Sequence, residues 1–226
     1  MDLLPYLWDL VVHLDKHLVT LLAQYGTWVY LILFLIVFCE TGLVVTPFLP
    51  GDSLLFIAGA LTAGAGANPG QLDLVMLNLL LIAAALLGNS SNYWIGRYFG
   101  ARVFGWKDSR LFNRAAFDKA HAFYEQHGGK TIVITRFLPI LRTFAPFVAG
   151  VAAMTHARFQ FYNLTGGVFW VVSLTVAGFC FGNIEWVKNN LTAIILALII
   201  IPGLPALAAT IQHWREQRRA RVAAKT

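Results

Sequence analysis

Four ionisable side chains stand out in this sequence because each lies in an apolar stretch. Arg136 and Arg142 belong to the run RFLPILRTFAPFVAG, and Glu40 and Asp52 lie in apolar surroundings nearer the N-terminus. A guanidinium group stays charged at any accessible pH. Placing one at the centre of a bilayer costs about 2.5–3.5 kcal/mol on insertion scales. These residues therefore point to a polar site inside an apolar protein.

The chemistry that these side chains offer is anion binding and proton transfer. A guanidinium group holds a phosphate through two parallel hydrogen bonds. A carboxylic acid in surroundings of low dielectric constant favours its neutral form, so it can take up and release protons. We expect Arg136 and Arg142 to bind a lipid phosphate, with Arg142 closer to it, and Glu40 and Asp52 to couple proton movement. The alternative is a structural network of ion pairs that only holds segments together.

The composition identifies an integral membrane protein. Of the 226 residues, 58% are hydrophobic and 12% are charged, whereas soluble domains carry about 25% charged residues. We predict one membrane domain over residues 1–226. The net charge is +6, but the basic residues flank the apolar runs, so a nucleic-acid partner is not expected. Neither the histidines nor Cys39 and Cys180 have the spacing of a metal site, and we expect no metal, cofactor or catalytic residue.

Proline and glycine interrupt two apolar segments, 43–64 and 131–154. The interrupting residues are Pro47, Pro50 and Gly51 in the first segment and Pro139 and Pro146 in the second. Each segment is too interrupted to supply the roughly 20 apolar residues that a crossing helix needs. Broken backbone at membrane depth is tolerated where protein or a water-filled cavity covers it. We predict two re-entrant helical hairpins; a plain helix with arginines snorkelling from its ends is the alternative for the second.

The remaining segments complete an all-α polytopic membrane protein with amphipathic surface helices. We predict an amphipathic N-terminal helix (1–24), a first repeat (27–98), a cytoplasmic loop with a surface helix (99–130), a second repeat (131–182), a last membrane helix (190–211) and a basic tail (212–226). Basic loops mark the cytoplasmic side of a membrane. The loop and the tail are therefore predicted to be cytoplasmic, and counting the crossings back places the N-terminus there too.

Short sequence echoes between the halves predict an inverted repeat with opposed hairpins. Phe48-Leu49-Pro50 matches Phe137-Leu138-Pro139, Ala58-Gly59 matches Ala149-Gly150, and Gly96 matches Gly178. Paired interrupted segments in two halves are typical of a transporter site near the bilayer midplane. The hairpin tips would bring the four ionisable residues together there.

Other polar and aromatic residues are weaker candidates. Asn89, Asn92 and Asn163 could line a cavity, although polar residues in membrane helices often only join neighbouring helices. Trp170 is interpreted as a belt or packing residue rather than as part of a binding site.

The chain resembles the DedA family of bacterial inner-membrane proteins, within a wider superfamily of lipid scramblases. The resemblance covers almost the whole chain and is closest to the namesake subgroup. It is carried, in order, by the segments ETGLVVTPFLPGDSLLFIAGAL, NYWIGRYFG, FYEQHGGKTIVITRFLPILRTFAPFVAG and GFCFG.

This resemblance implies a role in envelope lipid homeostasis. It implies recycling of undecaprenyl phosphate, dependence on the proton-motive force, and essential roles for Glu40, Asp52, Arg136 and Arg142. Many relatives have an acid where this chain has Asn89, so proton coupling is expected to differ here if that acid takes part in it.

The residues and the resemblance together favour a transporter or flippase of an anionic lipid over an enzyme. Its partners would be the bilayer, a polyprenyl phosphate or phospholipid, and further copies of itself in a homo-oligomer. A non-catalytic membrane organiser or assembly factor is the alternative. An integral membrane lipid phosphatase is the weaker one, because it needs a nucleophile or base beside the arginines and neither hairpin contains a histidine.

Overall fold

A computed structural model describes residues 14–43, 51–63, 72–103, 128–136, 139–182, 184–190, 193–194 and 196–197. Within these ranges every regular element is a helix. The helices are α1 (Leu14–Tyr25), a 3-10 turn (Gly26–Trp28), α2 (Val29–Gly42), α3 (Gly51–Thr62), α4 (Leu74–Val103), α5 (Lys130–Thr135), α6 (Pro139–Val151), α7 (His156–Phe181) and α8 (Glu185–Asn189).

Three helical stretches are long and apolar enough to cross a membrane. They are Thr20–Gly42, Leu74–Phe99 and His156–Phe181. Large apolar side chains on their outer faces are exposed, among them Leu35, Leu79 and Phe169. Such faces suit lipid rather than water, because hydrocarbon surrounds a spanning helix. The prediction of an all-helical membrane protein is confirmed.

Two short apolar helices, α3 and α6, lie inside the segments predicted to be hairpins. The 12 residues of α3 extend about 18 Å at 1.5 Å per residue, whereas the bilayer core is about 30 Å thick. Residues 44–50, with Pro47 and Pro50, lie outside the described residues. The re-entrant hairpins and the inverted repeat therefore remain predictions.

The two prolines of the second segment occupy different positions in the structure. Pro139 begins α6, where its missing N–H costs no helical hydrogen bond. Pro146 was predicted to break the chain, and this is wrong, because α6 continues through it to Val151. The cost is local: the carbonyl of Arg142 loses its usual helical donor.

Glycines allow each short helix to pack closely on a long helix from the other half of the sequence. A side chain at Gly59 of α3 would overlap the backbone of Thr175 in α7. A side chain at Gly150 of α6 would overlap the backbone of Tyr93 in α4. The partner glycines Gly178 and Gly96 face Phe56 and Phe147 in the same way. The residues paired by the sequence echoes thus make corresponding contacts, which supports the inverted repeat without establishing it.

The ends of the chain are only partly described. Helix α1 covers the second part of the predicted 1–24 helix, and its Leu18 and Leu22 are buried in the core. Most of the 99–130 loop, most of the predicted 190–211 helix and all of the 212–226 tail lie outside the described residues.

Candidate functional site

Three of the four predicted site residues meet at one point. Arg142 of α6 donates from Nη2 to Oε1 of Glu40, at the end of α2. From Nη1 it donates to Oδ1 of Asp52, in the first turn of α3, at 2.7 Å. One guanidinium group therefore bridges two carboxylates and joins three helices.

This bridge is buried deeply enough for charge balance to matter. Glu40 is 0% exposed and Arg142 is 9% exposed. Oε2 of Glu40 has no hydrogen-bond partner among the described residues. Removing one member of a buried ion pair strands an uncompensated charge, which costs about 3–5 kcal/mol.

Gly51 makes room for the Glu40 carboxylate. It is the first residue of α3, and a side chain there would overlap both carboxylate oxygens of Glu40. From its place beside Pro50, Gly51 is predicted to interrupt the first hairpin. The structure adds a different reason for a glycine, namely the close approach of an acid from another helix.

Trp170 of α7 belongs to the site, although from its sequence context it is interpreted as a belt or packing residue. Its Nε1 donates to Oδ1 of Asp52 at 2.9 Å, and Cζ of Arg142 lies 5.4 Å from the ring centroid, within the range of a cation–π contact. Its position was a usable signal, because belt tryptophans lie at membrane interfaces. Trp170 instead lies near the middle of the span His156–Phe181.

Arg136, the fourth predicted residue, has different partners. It follows α5 and is 4% exposed. Its Nη2 donates to the carbonyl oxygen of Asn163 at 3.1 Å and to Oδ1 of the same residue. Among the described residues no carboxylate lies within ion-pair distance, and Nε has no hydrogen-bond partner. Arg142 is thus neutralised by acids, whereas Arg136 is held by neutral groups.

Small residues of α7 accommodate the Arg136 side chain. A Cβ atom at Gly166 would lie 3.2 Å from its Cδ and Nε, and one at Gly167 would lie 3.3 Å from Nη1. The guanidinium group therefore lies against bare helix backbone, a placement that these two glycines permit.

The predicted cavity-lining asparagines of α4 have separate roles. Asn89 donates from Nδ2 to Oδ1 of Asn163 at 3.1 Å, so it shares that oxygen with Arg136. Asn92 does not line the central cavity; it donates to the carbonyls of Thr41 at 3.3 Å and Thr143 at 2.7 Å. Asn92 therefore ties the end of α2 to α6, close to Pro146.

The central cavity is small. Its volume is about 10 Å³, and its lining residues are Thr41, Asn89, Arg136, Arg142 and Trp170. That is close to the minimum for a single water molecule. The two arginines thus face one space that is closed to a phosphate group, and a larger ligand requires the surrounding helices to separate. Within the described part of the chain, no group of His, Cys, Asp or Glu side chains could hold a metal ion.

Comparison with known proteins gives consistent matches over the whole chain. The model of the VTT domain matches residues 49–179. Protein DedA of Escherichia coli K12 is 51% identical over 220 residues, which cover 97% of this chain and 99% of that protein.

More distant relatives match as well. Uncharacterized membrane protein Rv0364 of Mycobacterium tuberculosis is 40% identical, with 82% and 80% of the two chains covered. Inner membrane protein YghB of E. coli K12 is 34% identical, with 89% and 87% covered. No solved structure matches.

Proposed function

Because the chain belongs to the DedA family of membrane proteins, we propose that it moves an anionic lipid across the bacterial inner membrane in a proton-linked manner. The substrate would be undecaprenyl phosphate or a phospholipid, and the role would be envelope homeostasis. The relative YghB is named an inner membrane protein. Cytoplasmic termini, a homo-oligomeric state and an opposed pair of hairpins are part of this proposal.

The observation that carries the proposal is the bridge from Arg142 to Glu40 and Asp52, with Arg136 across the same cavity. Glu40 and Asp52 pair with the Arg142 guanidinium group, which would otherwise be free to bind a phosphate. When a phosphate takes Arg142, the acids lose their cationic partner and gain an anionic neighbour. Both changes favour the protonated acids, so lipid and protons would bind together.

Charge balance also predicts that phosphate binding favours protonation of the two acids. The buried carboxylate of Glu40, the partly exposed carboxylate of Asp52 and the two buried guanidinium groups sum to zero net charge. A phosphate adds one or two negative charges, and an uncompensated charge in a buried site is costly. Uptake of one or two protons by Glu40 and Asp52 restores neutrality, which links lipid movement to the proton gradient.

The competing candidate is a non-catalytic organiser, in which the same bridge only holds α2, α3 and α6 together. A buried ion pair is compatible with that role. A lipid phosphatase is a weaker candidate, because it needs an activated nucleophile beside the arginines.

The deciding experiment measures binding of labelled undecaprenyl phosphate to the purified protein in nanodiscs from pH 5.5 to 8, with phosphate release as a second readout. By linkage, protons and lipid that bind together raise each other's affinity. We expect tighter binding at low pH and no phosphate release. Glu40→Gln and Asp52→Asn mimic protonated acids, so each should bind lipid with a weaker pH dependence.

The alternatives predict other results. Absence of binding at every pH favours the organiser, and phosphate release favours the phosphatase. A pH profile that is flat for the unaltered protein, or unchanged in both variants, rules out these acids as the proton site. They would then be structural partners of Arg142.

A further inference from the structure

A continuous series of polar side chains leads from Arg136 to one end of the α4–α7 pair. We call Asn89, Ser90, His156, Gln160 and Asn163 the polar seam. Asn163 donates from Nδ2 to Oε1 of Gln160 at 3.1 Å and to Oγ of Ser90 at 3.4 Å. Gln160 donates to Oγ of Ser90 at 2.8 Å, and its Nε2 lies 3.4 Å from Nε2 of His156.

Exposure increases along the seam from its inner to its outer end. Asn163 is 0% and Asn89 is 3% exposed. Ser90 and Gln160 are partly exposed, and His156 is exposed. The ring of Trp94 lies 5.2 Å from the His156 ring, and tryptophan favours the membrane interface. The seam therefore connects the buried site to the membrane face at which α7 begins.

In the opposite direction along α4 and α7, from Arg136 toward Asn78, the packed side chains are apolar. Between Asn78 and Asn89, helix α4 has the sequence LLLIAAALLG, and Leu81, Ala84 and Ala85 are fully buried. One hydrogen bond joins the same two helices there, from Thr175 to Asn78 at 2.7 Å. Apolar packing separates it from Arg136, so within the described residues of α4 and α7 the hydrogen-bonded polar connection from Arg136 runs toward the end at which α7 begins.

The chemistry of the seam suits an anion. Amide and hydroxyl groups can donate to phosphate oxygens, and no carboxylate belongs to the seam. At its inner end lies the buried charge of Arg136, with no acid partner in the described part of the chain and with an unpaired Nε. Arg136 also lines the central cavity. A route for cations would instead present carboxylates.

We propose that the polar seam is the path by which a lipid phosphate passes between Arg136 and the membrane face at which α7 begins. The acyl or prenyl chain stays in the bilayer. This inference rests on the proposed function and adds a route and a side to it. Because the central cavity is closed, passage requires α4 and α7 to separate locally, with loss of the hydrogen bonds from Gln160 and Asn163 to Ser90.

The test places a charge in the seam. In a background with Cys39→Ala and Cys180→Ala, Ser90→Cys is reacted with a methanethiosulfonate that carries either a sulfonate or a trimethylammonium group. Binding of dioleoyl phosphatidic acid in nanodiscs is then measured. The anionic adduct should weaken binding at least tenfold, whereas the cationic adduct should not weaken it. Phosphatidic acid should also slow the labelling.

Asn78→Cys is the matched control, since it alters a hydrogen bond between the same two helices on the apolar side. Neither adduct at that position should change binding by more than about twofold. Gln160→Cys provides a second seam position if the Ser90→Cys protein is not recovered folded. Inorganic phosphate serves as a competitor, and displacement of the lipid by millimolar phosphate would assign the seam to the free ion and overturn the lipid route.

Different results would overturn the proposed function and the route through the seam. Failure of the cysteine-free protein to bind either phosphatidic acid or undecaprenyl phosphate overturns both the proposed function and the seam. Binding that is unaffected by both adducts, or reduced equally by both, overturns the seam alone. Equal reduction would identify these side chains as connectors of helices.

Discussion

At the residue scale, the two arginines differ in what their loss would leave behind. Arg142→Gln strands two acids, the buried Glu40 and the partly exposed Asp52, whereas Arg136→Gln removes a charge held by the neutral Asn163. We expect Arg142→Gln to destabilise the protein by about 3–5 kcal/mol at pH 8. Because protonation neutralises the stranded acids, this loss should shrink toward pH 5.5. Arg136→Gln should lose anionic-lipid binding with little change in stability at either pH.

The measurement is thermal unfolding of the purified variants at both pH values, with lipid binding measured in parallel. Lys130→Gln is the control, because Lys130 is an exposed cation at the start of α5. Equal stability losses for the two arginine variants would contradict the assignment of the acids to Arg142. So would a loss in Arg142→Gln that does not change with pH.

Trp170 gives a second prediction at this scale. Trp170→Phe keeps an aromatic ring near Arg142 but removes the Nε1–H donor to Asp52. A carboxylate that loses a hydrogen-bond donor favours protonation. The pH at which lipid binding is half-maximal should therefore rise, while binding at pH 5.5 is retained. Trp186→Phe, at a tryptophan that is 67% exposed, should leave the profile unchanged. An unchanged profile for Trp170→Phe as well would limit Trp170 to packing.

The residues that sequence could identify are those whose type alone is costly in a membrane. Glu40, Asp52, Arg136 and Arg142 stand out by charge. Trp170 does not stand out, because an aromatic ring suits both packing and hydrogen bonding. Its hydrogen-bond partner Asp52 is 118 positions away in the sequence. The contact of Gly51 with Glu40 depends in the same way on a tertiary neighbour that no local pattern reveals.

At the element scale, the close crossings of helices depend on glycines, which have no side chain and so let the backbones of two helices meet. Gly178→Leu would place a side chain against the backbone of Phe56 and separate α7 from α3. Overpacking costs about 1–3 kcal/mol, which corresponds to a melting temperature lower by about 2–12 °C for a chain of this size. Val176→Leu, on the exposed part of α7, is the control. Equal melting temperatures for the two variants would show that α3 and α7 do not need this close contact.

Sequence predicted the long helices because no proline interrupts their largely apolar runs. It was wrong about Pro146 because a proline inside a helix removes one donor without forbidding the helix. Asn92 bonds the carbonyl of Thr143 in the preceding turn and ties α6 to α2. Whether a proline breaks a helix thus depends on packing that local sequence does not contain.

At the scale of the whole molecule, the orientation is a prediction from charge alone. With Cys39 and Cys180 replaced, single cysteines at Asn68 and Asn189 should react with a membrane-impermeant reagent from the periplasm. Cysteines at Ser109 and Ala223 should react only after the inner membrane is opened. Basic loops stay on the cytoplasmic side, so periplasmic labelling at Ser109 would be incompatible with the inverted repeat and its opposed hairpins.

The close packing of α3 on α7 also has a consequence for biosynthesis. Roughly a hundred residues separate the two helices in the chain, and at the usual translation rate α7 follows α3 by on the order of 5–20 s. During that interval Asp52 has neither Arg142 nor Trp170, since both belong to later segments. The nascent first half must therefore wait, with an unpaired acid, beside the translocon. A ribosome pause before Arg142 would prolong its exposure to membrane quality-control proteases.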